Sequence, residues 1–100
     1  MTHPLEESWA ATRQRLDEAF RLLRSIRSDS EAERCFAWYR DELEQNELEL
    51  ALDALEHLAE SFSMPANIWE AFALAAESMD LSDRAAACRR MKIETHHDAA

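Results

Sequence analysis

Apolar residues recur along this chain at intervals of three and four, the spacing that gathers side chains on one face of an α-helix. Leu5, Trp9, Thr12, Leu16, Ala19, Phe20, Leu23 and Ile26 form the first stripe and predict a helix from Pro4 to Arg27. Proline suits a first helical turn, and Glu6 and Glu7 suit the positive end of the helix dipole. Ser28-Asp29-Ser30 ends this element, and Ser30 with Glu33 reads as a capping box that opens the next. The second helix, Glu31 to Gln45, presents Ala32, Cys35, Phe36, Tyr39 and Leu43 on one face. Asn46 interrupts it, and Asn46 with Glu49 offers a second box-like cap.

Helix three, Glu47 to Phe62, carries Leu48, Ala51, Leu52, Leu55, Leu58, Ala59 and Phe62, the strongest pattern in the chain. Ser63-Met64-Pro65 breaks it. Helix four, Pro65 to Met79, follows with Ile68, Trp69, Phe72, Ala75, Ala76 and Met79. A short fifth helix starts at Ser82 and runs through Ala85, Cys88 and Met91, and residues 94–100, with His96 and His97, read as a frayed tail. Short connections between amphipathic helices favour antiparallel neighbours. The expected fold is all-α: one domain over residues 1–100, an antiparallel bundle of four main helices with a short fifth at the C-terminus.

Composition sharpens this expectation. The 100 residues include no glycine and only two prolines, so tight hairpins, which need positive φ, are disfavoured. No run of about 20 apolar residues predicts a membrane span, and no basic-then-apolar leader predicts secretion, so a cytoplasmic location is expected. There Cys35 and Cys88 are expected to stay reduced, as small apolar residues.

Catalysis needs convergent polar groups, and few are available. His3, His96 and His97 lie near the ends of the chain, and His57 has no cysteine or second histidine at i+3 or i+4, so zinc-ligand spacing is missing. Without glycine there is no phosphate-cradling loop. A net charge of −10 disfavours nucleic acid as a partner. The chain is therefore read as a non-enzyme with no cofactor and no metal.

The charge is one-sided. Residues 1–40 hold seven acids and seven bases, residues 41–83 hold twelve acids and no Lys or Arg, and residues 84–100 hold four bases and two acids. At 100° per residue from Leu48, the apolar stripe of helix three spans about 280° through 40°. Glu49, Asp53, Glu56 and Glu60 fall between about 80° and 140°, a single carboxylate stripe with no compensating cation. Like charges at i,i+4 destabilise a helix by a few tenths of a kcal/mol. Two readings stay open: a solvated face, or a surface for a basic partner. Leu50, near 200°, is either an interface anchor ringed by acids or core of a helix buried on two sides. Trp38 and Leu74 also lie off their stripes, as contacts or as packing at a bundle rim.

The run from Tyr39 to Leu55, whose centre is Glu49-Leu50-Ala51-Leu52-Asp53-Ala54-Leu55, followed by Ile68-Trp69 and Ala75-Ala76-Glu77-Ser78-Met79, resembles small helical immunity proteins of bacterial contact-dependent inhibition and related polymorphic toxin systems. The resemblance spans residues 36–81 and leaves helix one and the tail unmatched. It implies a protein that binds and neutralises the basic toxin domain of a cognate effector, commonly a nuclease. The residues expected to meet that partner are Glu49, Asp53, Glu56 and Glu60 as a charge stripe, Leu50 as an anchor, and Glu44 and Glu47 at the helix junction. A helical adaptor or homodimer, using Leu50, Leu74 and Trp38, is the competing expectation.

Overall fold

A computed structural model describes the backbone of residues 4–61 and 64–99, and the side chains of 9–61 and 64–91. Its elements are α1 (Pro4–Ile26), α2 (Ser30–Glu44), α3 (Leu48–Glu60), α4 (Ala66–Ser78) and α5 (Ser82–Ala99), with no strand among the described residues. The all-helical expectation holds. The fifth helix, however, is not short: with 18 residues it is longer than α2, α3 or α4, and its backbone stays helical to Ala99 where a frayed tail was expected. The sequence Asp83 to Lys92 has no residue that breaks a helix, and neither does the stretch beyond it. Phe62 and Ser63, assigned above to helix three and its break, lie outside the described residues, as does the Leu5 side chain.

Three junctions set the geometry. Asp29, one residue before the expected cap, is the N-cap of α2, and its Oδ1 accepts the Ala32 amide at 2.9 Å. That amide bond first, and the Arg27 side chain second, hold the Asp29 carboxyl below its ordinary pKa. The other two junctions answer the missing glycine. Asn46 and Asp80 both take positive φ, 61° in each case, and each follows the last turn of a helix. At the end of α2 the Asn46 and Glu47 amides donate to the Leu43 and Glu42 carbonyls, at 3.0 and 2.8 Å. At the end of α4 the Asp80 and Leu81 amides donate to Glu77 and Ala76, at 3.0 and 2.9 Å. Both are Schellman caps, built on the two residue types that tolerate the left-handed region best after glycine. Asn46 thus ends α2 and does not cap α3, whose N-cap Glu47 makes no side-chain capping bond.

The core gathers Leu16, Ala19 and Leu23 of α1, Phe36 and Tyr39 of α2, Leu52, Leu55 and Leu58 of α3, Ile68 and Phe72 of α4, and Ala85 and Cys88 of α5. A fully buried Leu, Ile or Phe contributes roughly 1.5–3 kcal/mol. Among the helices, α4 packs closely on α5 and on α1, and α2 closely on α3. Phe20 of α1 stacks on Tyr39 and meets Phe36 edge-on, with centroids at 4.9 and 5.1 Å. The Tyr39 hydroxyl donates to Asp17 at 3.1 Å, and burial followed by the Asp17 charge raises its pKa. Met64, in the break after helix three, is also buried. Trp9 and Ile26 sit on the predicted stripe of α1 yet stay exposed. No described helix is long and apolar enough to cross a membrane.

Candidate functional site

The α3 carboxylate stripe is where the sequence placed the chemistry, and there the structure brings a correction. The stripe has a cation. Arg84, in the first turn of α5, reaches across so that its Nε donates to Glu56 Oε2 at 3.0 Å. Its second guanidinium nitrogen donates to the same oxygen and to Asp53 Oδ1, the latter at 2.5 Å. Glu49 lies 3.8 Å from the remaining nitrogen. Glu56 Oε1 in turn accepts the Cys88 thiol at 3.0 Å. With side chains 20% and 15% exposed, Arg84 and Glu56 form a largely sheltered pair. Burial works to lower the Arg84 pKa, but the hydrogen bonds and charge of Glu56 and Asp53 outweigh it and hold the guanidinium above its ordinary value. Burial, then the Glu56 hydrogen bond and charge, raise the Cys88 thiol. Helical periodicity along α3 cannot reveal this cation, which lies 28 residues beyond Glu56. The signal was nonetheless present, in a basic block beginning at residue 84 directly after twelve uncompensated acids.

A second arginine of α5 acts in the same way on α4. Arg89 donates to Glu70 at 3.0 Å and pairs with Glu77, and these two hydrogen bonds raise its pKa. The twelve carboxylates of residues 41–83 therefore meet two bridging guanidinium groups, and the block keeps most of its negative charge.

The proposed contact residues fall into two sets. Glu56 and Asp53 are tied into the Arg84 bridge. Glu44, Glu47, Glu49 and Glu60 remain exposed. Leu50 is 42% exposed, which removes the reading of it as core. Trp38 is 39% exposed, with its ring centroid 6.0 Å from that of His57 in an edge-on arrangement. His57 lies within about 20° of Leu50 around α3, so Trp38, His57 and Leu50 follow one flank of the α2–α3 hairpin. Between Trp38 and His57 the flank is indented by a hollow of about 250 Å³, which also reaches Cys35. Leu74 is half-buried and belongs to packing.

The other end of the hairpin holds a feature that periodicity could not reveal. Arg13 of α1 donates to the Leu43 carbonyl at 2.7 Å and to Asn46 Oδ1 at 3.0 Å. Its neighbour Thr12 is buried, 2.9 Å from the Ser78 hydroxyl and 3.3 Å from the Ser78 carbonyl. One turn of α1 thus ties down the C-terminal ends of both α2 and α4, and a cleft of about 390 Å³ opens between them.

Both cysteines are free and buried. Among the described residues no group of three or more His, Cys, Asp or Glu side chains could hold a metal ion. Comparison with protein-family models, curated proteins and solved structures finds no match to this chain.

Proposed function

We propose that this protein works by binding, without catalysis, and that it is an immunity protein of the bacterial cytoplasm. Its partner is the basic toxin domain of a cognate effector, most simply a nuclease. In this reading α1 to α4 form the antiparallel bundle that carries the surface. One observation carries the proposal: Leu50 stands exposed on the α2–α3 hairpin within a segment that contains carboxylates and no Lys or Arg, with exposed Trp38 nearby on a flank that also holds Arg34. An exposed apolar anchor inside an electronegative surround is the arrangement that steers a cationic partner and then holds it. A nuclease cleft is cationic because it binds phosphates, and a carboxylate surface can occupy it in their place.

The Arg84 bridge changes which acids can be given this role. The exposed Glu44 and Glu47 at the α2–α3 junction become the principal charged contacts, with Glu60 further along α3, while the exposed Glu49 is shared with Arg84. Asp53 and Glu56 contribute field more than direct contact, since Arg84 holds them to α5. Self-association through Leu50 and Trp38 is the competing reading. It has to overcome repulsion between two copies that each carry −10.

Co-expression with the product of the adjacent upstream gene tests the proposal. Rescue of growth and co-purification of the two proteins are expected, with rescue weakened by the double reversal Glu44→Lys and Glu47→Lys and by Leu50→Glu. A neighbour that kills equally well with or without this protein overturns it. A homodimer that survives both charge reversals and dissociates only on Leu50→Glu establishes the competing reading.

A further inference from the structure

The cleft between the ends of α2 and α4 has a chemistry of its own. Its wall contains Trp9, Thr12, Asn46, Leu48, Ser78 and Asp80. From these residues we infer that it receives one cationic side chain, a lysine or arginine, from a protein partner. The inference rests on the binding reading given above and specifies how part of that surface recognises its target.

Four observations converge. Two helices end here in Schellman caps, and the left-handed residue of each, Asn46 and Asp80, lines the cleft. Asp80, exposed at the second cap, brings a full negative charge, and no salt bridge engages it among the described residues. The hydroxyl of Ser78 is already committed as a donor. Ser78 donates to the Ala75 carbonyl at 2.6 Å and lies 2.9 Å from the Thr12 hydroxyl, so a lone pair is what Ser78 presents to a newcomer. Finally, Trp9 lines the cleft while remaining 40% exposed, and an indole face is the best aromatic surface for an ammonium or guanidinium group.

An anion fares worse in the same space. The first turn of α3 has no side-chain cap and its amides favour negative charge, but Glu47 and Glu49 sit on that turn and Asp80 lies in the cleft wall. The Arg13 guanidinium donates to the Leu43 carbonyl and the Asn46 oxygen, which uses its hydrogen bonds there though not its charge. The alkyl stem of a lysine or arginine would lie along Trp9 and Leu48, with its head at Asp80. The volume of about 390 Å³ is within the range of side-chain and small-ligand pockets.

The test uses N-acetyl-lysine methylamide and N-acetyl-arginine methylamide as probes, and the uncharged citrulline analogue as control. The Trp9 indole N–H and the Asp80 amide are followed by NMR on the full chain. Saturable shifts at both positions are expected with the two cationic probes, and affinity at least about tenfold lower for the citrulline analogue. Asp80→Asn preserves the left-handed cap, because asparagine tolerates that conformation, and should remove the binding while leaving the spectrum otherwise folded. Trp9→Leu should weaken it independently. Equal shifts with citrulline, or unchanged binding in Asp80→Asn, overturn the inference. Because the probes are free amino-acid derivatives, the outcome is separate from that of the co-expression experiment. Probe binding without a toxin partner removes the immunity reading and leaves the cleft, whereas partner binding without probe binding does the reverse.

Discussion

Replacing Arg84 with methionine keeps most of the aliphatic stem that α5 lays toward α3 and removes the charge that three carboxylates share. Fully exposed ion pairs are worth about 0–1 kcal/mol, and breaking a fully buried one costs about 3–5 kcal/mol. The Arg84–Glu56 pair lies between these limits, because its side chains are 20% and 15% exposed while the linked Asp53 is 40% exposed. A loss of about 2 kcal/mol is therefore expected for Arg84→Met, most of it from leaving Glu56 sheltered with only the Cys88 thiol as a partner. For a domain of this size that corresponds to a fall in Tm of roughly 8–16 °C.

Glu56→Gln in the same background supplies the control, since the amide oxygen can still accept the Cys88 thiol while the unpaired charge disappears. The double variant should recover about half or more of the loss, a coupling on the order of 1 kcal/mol in a double-mutant cycle. Thermal melts followed by far-ultraviolet circular dichroism at pH 7 and again near pH 4, where carboxylates in general begin to take up protons, provide the readout. The difference between wild type and Arg84→Met should narrow at the lower pH. A drop of less than about 2 °C at pH 7 would show that the bridge is solvated and contributes no more than a surface pair. The acidic stripe would then be free for a partner along its whole length, and Asp53 and Glu56 would return to the contact surface.

Other expectations follow from the same geometry. Both thiols are held above the ordinary value of 9.0 by burial first, then by the Glu56 hydrogen bond and charge at Cys88 and by the Glu31 charge at Cys35. Neither should react with a disulfide reagent at pH 8 until the chain unfolds, and native modification as fast as that in urea would contradict the packing. A raised folded pKa means that the folded state binds these protons more tightly than the unfolded chain. The associated stability is complete below pH 9.0 and is lost as pH rises through the higher folded values, so Tm should fall on the alkaline side and Cys88→Ala should flatten that fall. Asp80→Gly should leave stability within about 0.5 kcal/mol of wild type, since glycine accepts positive φ freely. Asn46→Gly should cost about 1 kcal/mol, because the hydrogen bond from Arg13 goes with the side chain. Equal effects of the two glycine substitutions in urea denaturation would refute that role of Arg13.

What the sequence made legible is what local periodicity governs. The stripes of α2, α3 and α4 placed Phe36, Leu52, Leu55, Ile68 and Phe72 in the core, where the structure has them. Boundaries failed where a residue could serve either of two helices. Asn46 is a good cap by type, but at φ 61° it closes α2 and leaves α3 uncapped, a choice fixed by Arg13 on a helix 33 residues away. The cleft beside it was invisible for a related reason, since Trp9, Asn46 and Asp80 share no local pattern and meet only when α1 crosses two helix ends.

The acidic stripe carries the most instructive error. Taken along α3 alone, a row of like charges is pure cost, which a solvated face tolerates and an external cation would offset. The protein supplies one such cation from α5, at a separation that periodicity does not report. Having supplied it, the chain then stops: one guanidinium serves three carboxylates on α3, another serves two on α4, and Glu44 and Glu47 at the hairpin tip lie in a stretch of 43 residues without a Lys or Arg of their own. Stability alone accounts for the bridged carboxylates. It does not account for the acids left exposed around Leu50, where lysines could alternate with glutamates at no cost to the helix. Those unbridged positions, and not the stripe as a whole, are where the case for a cationic partner now rests.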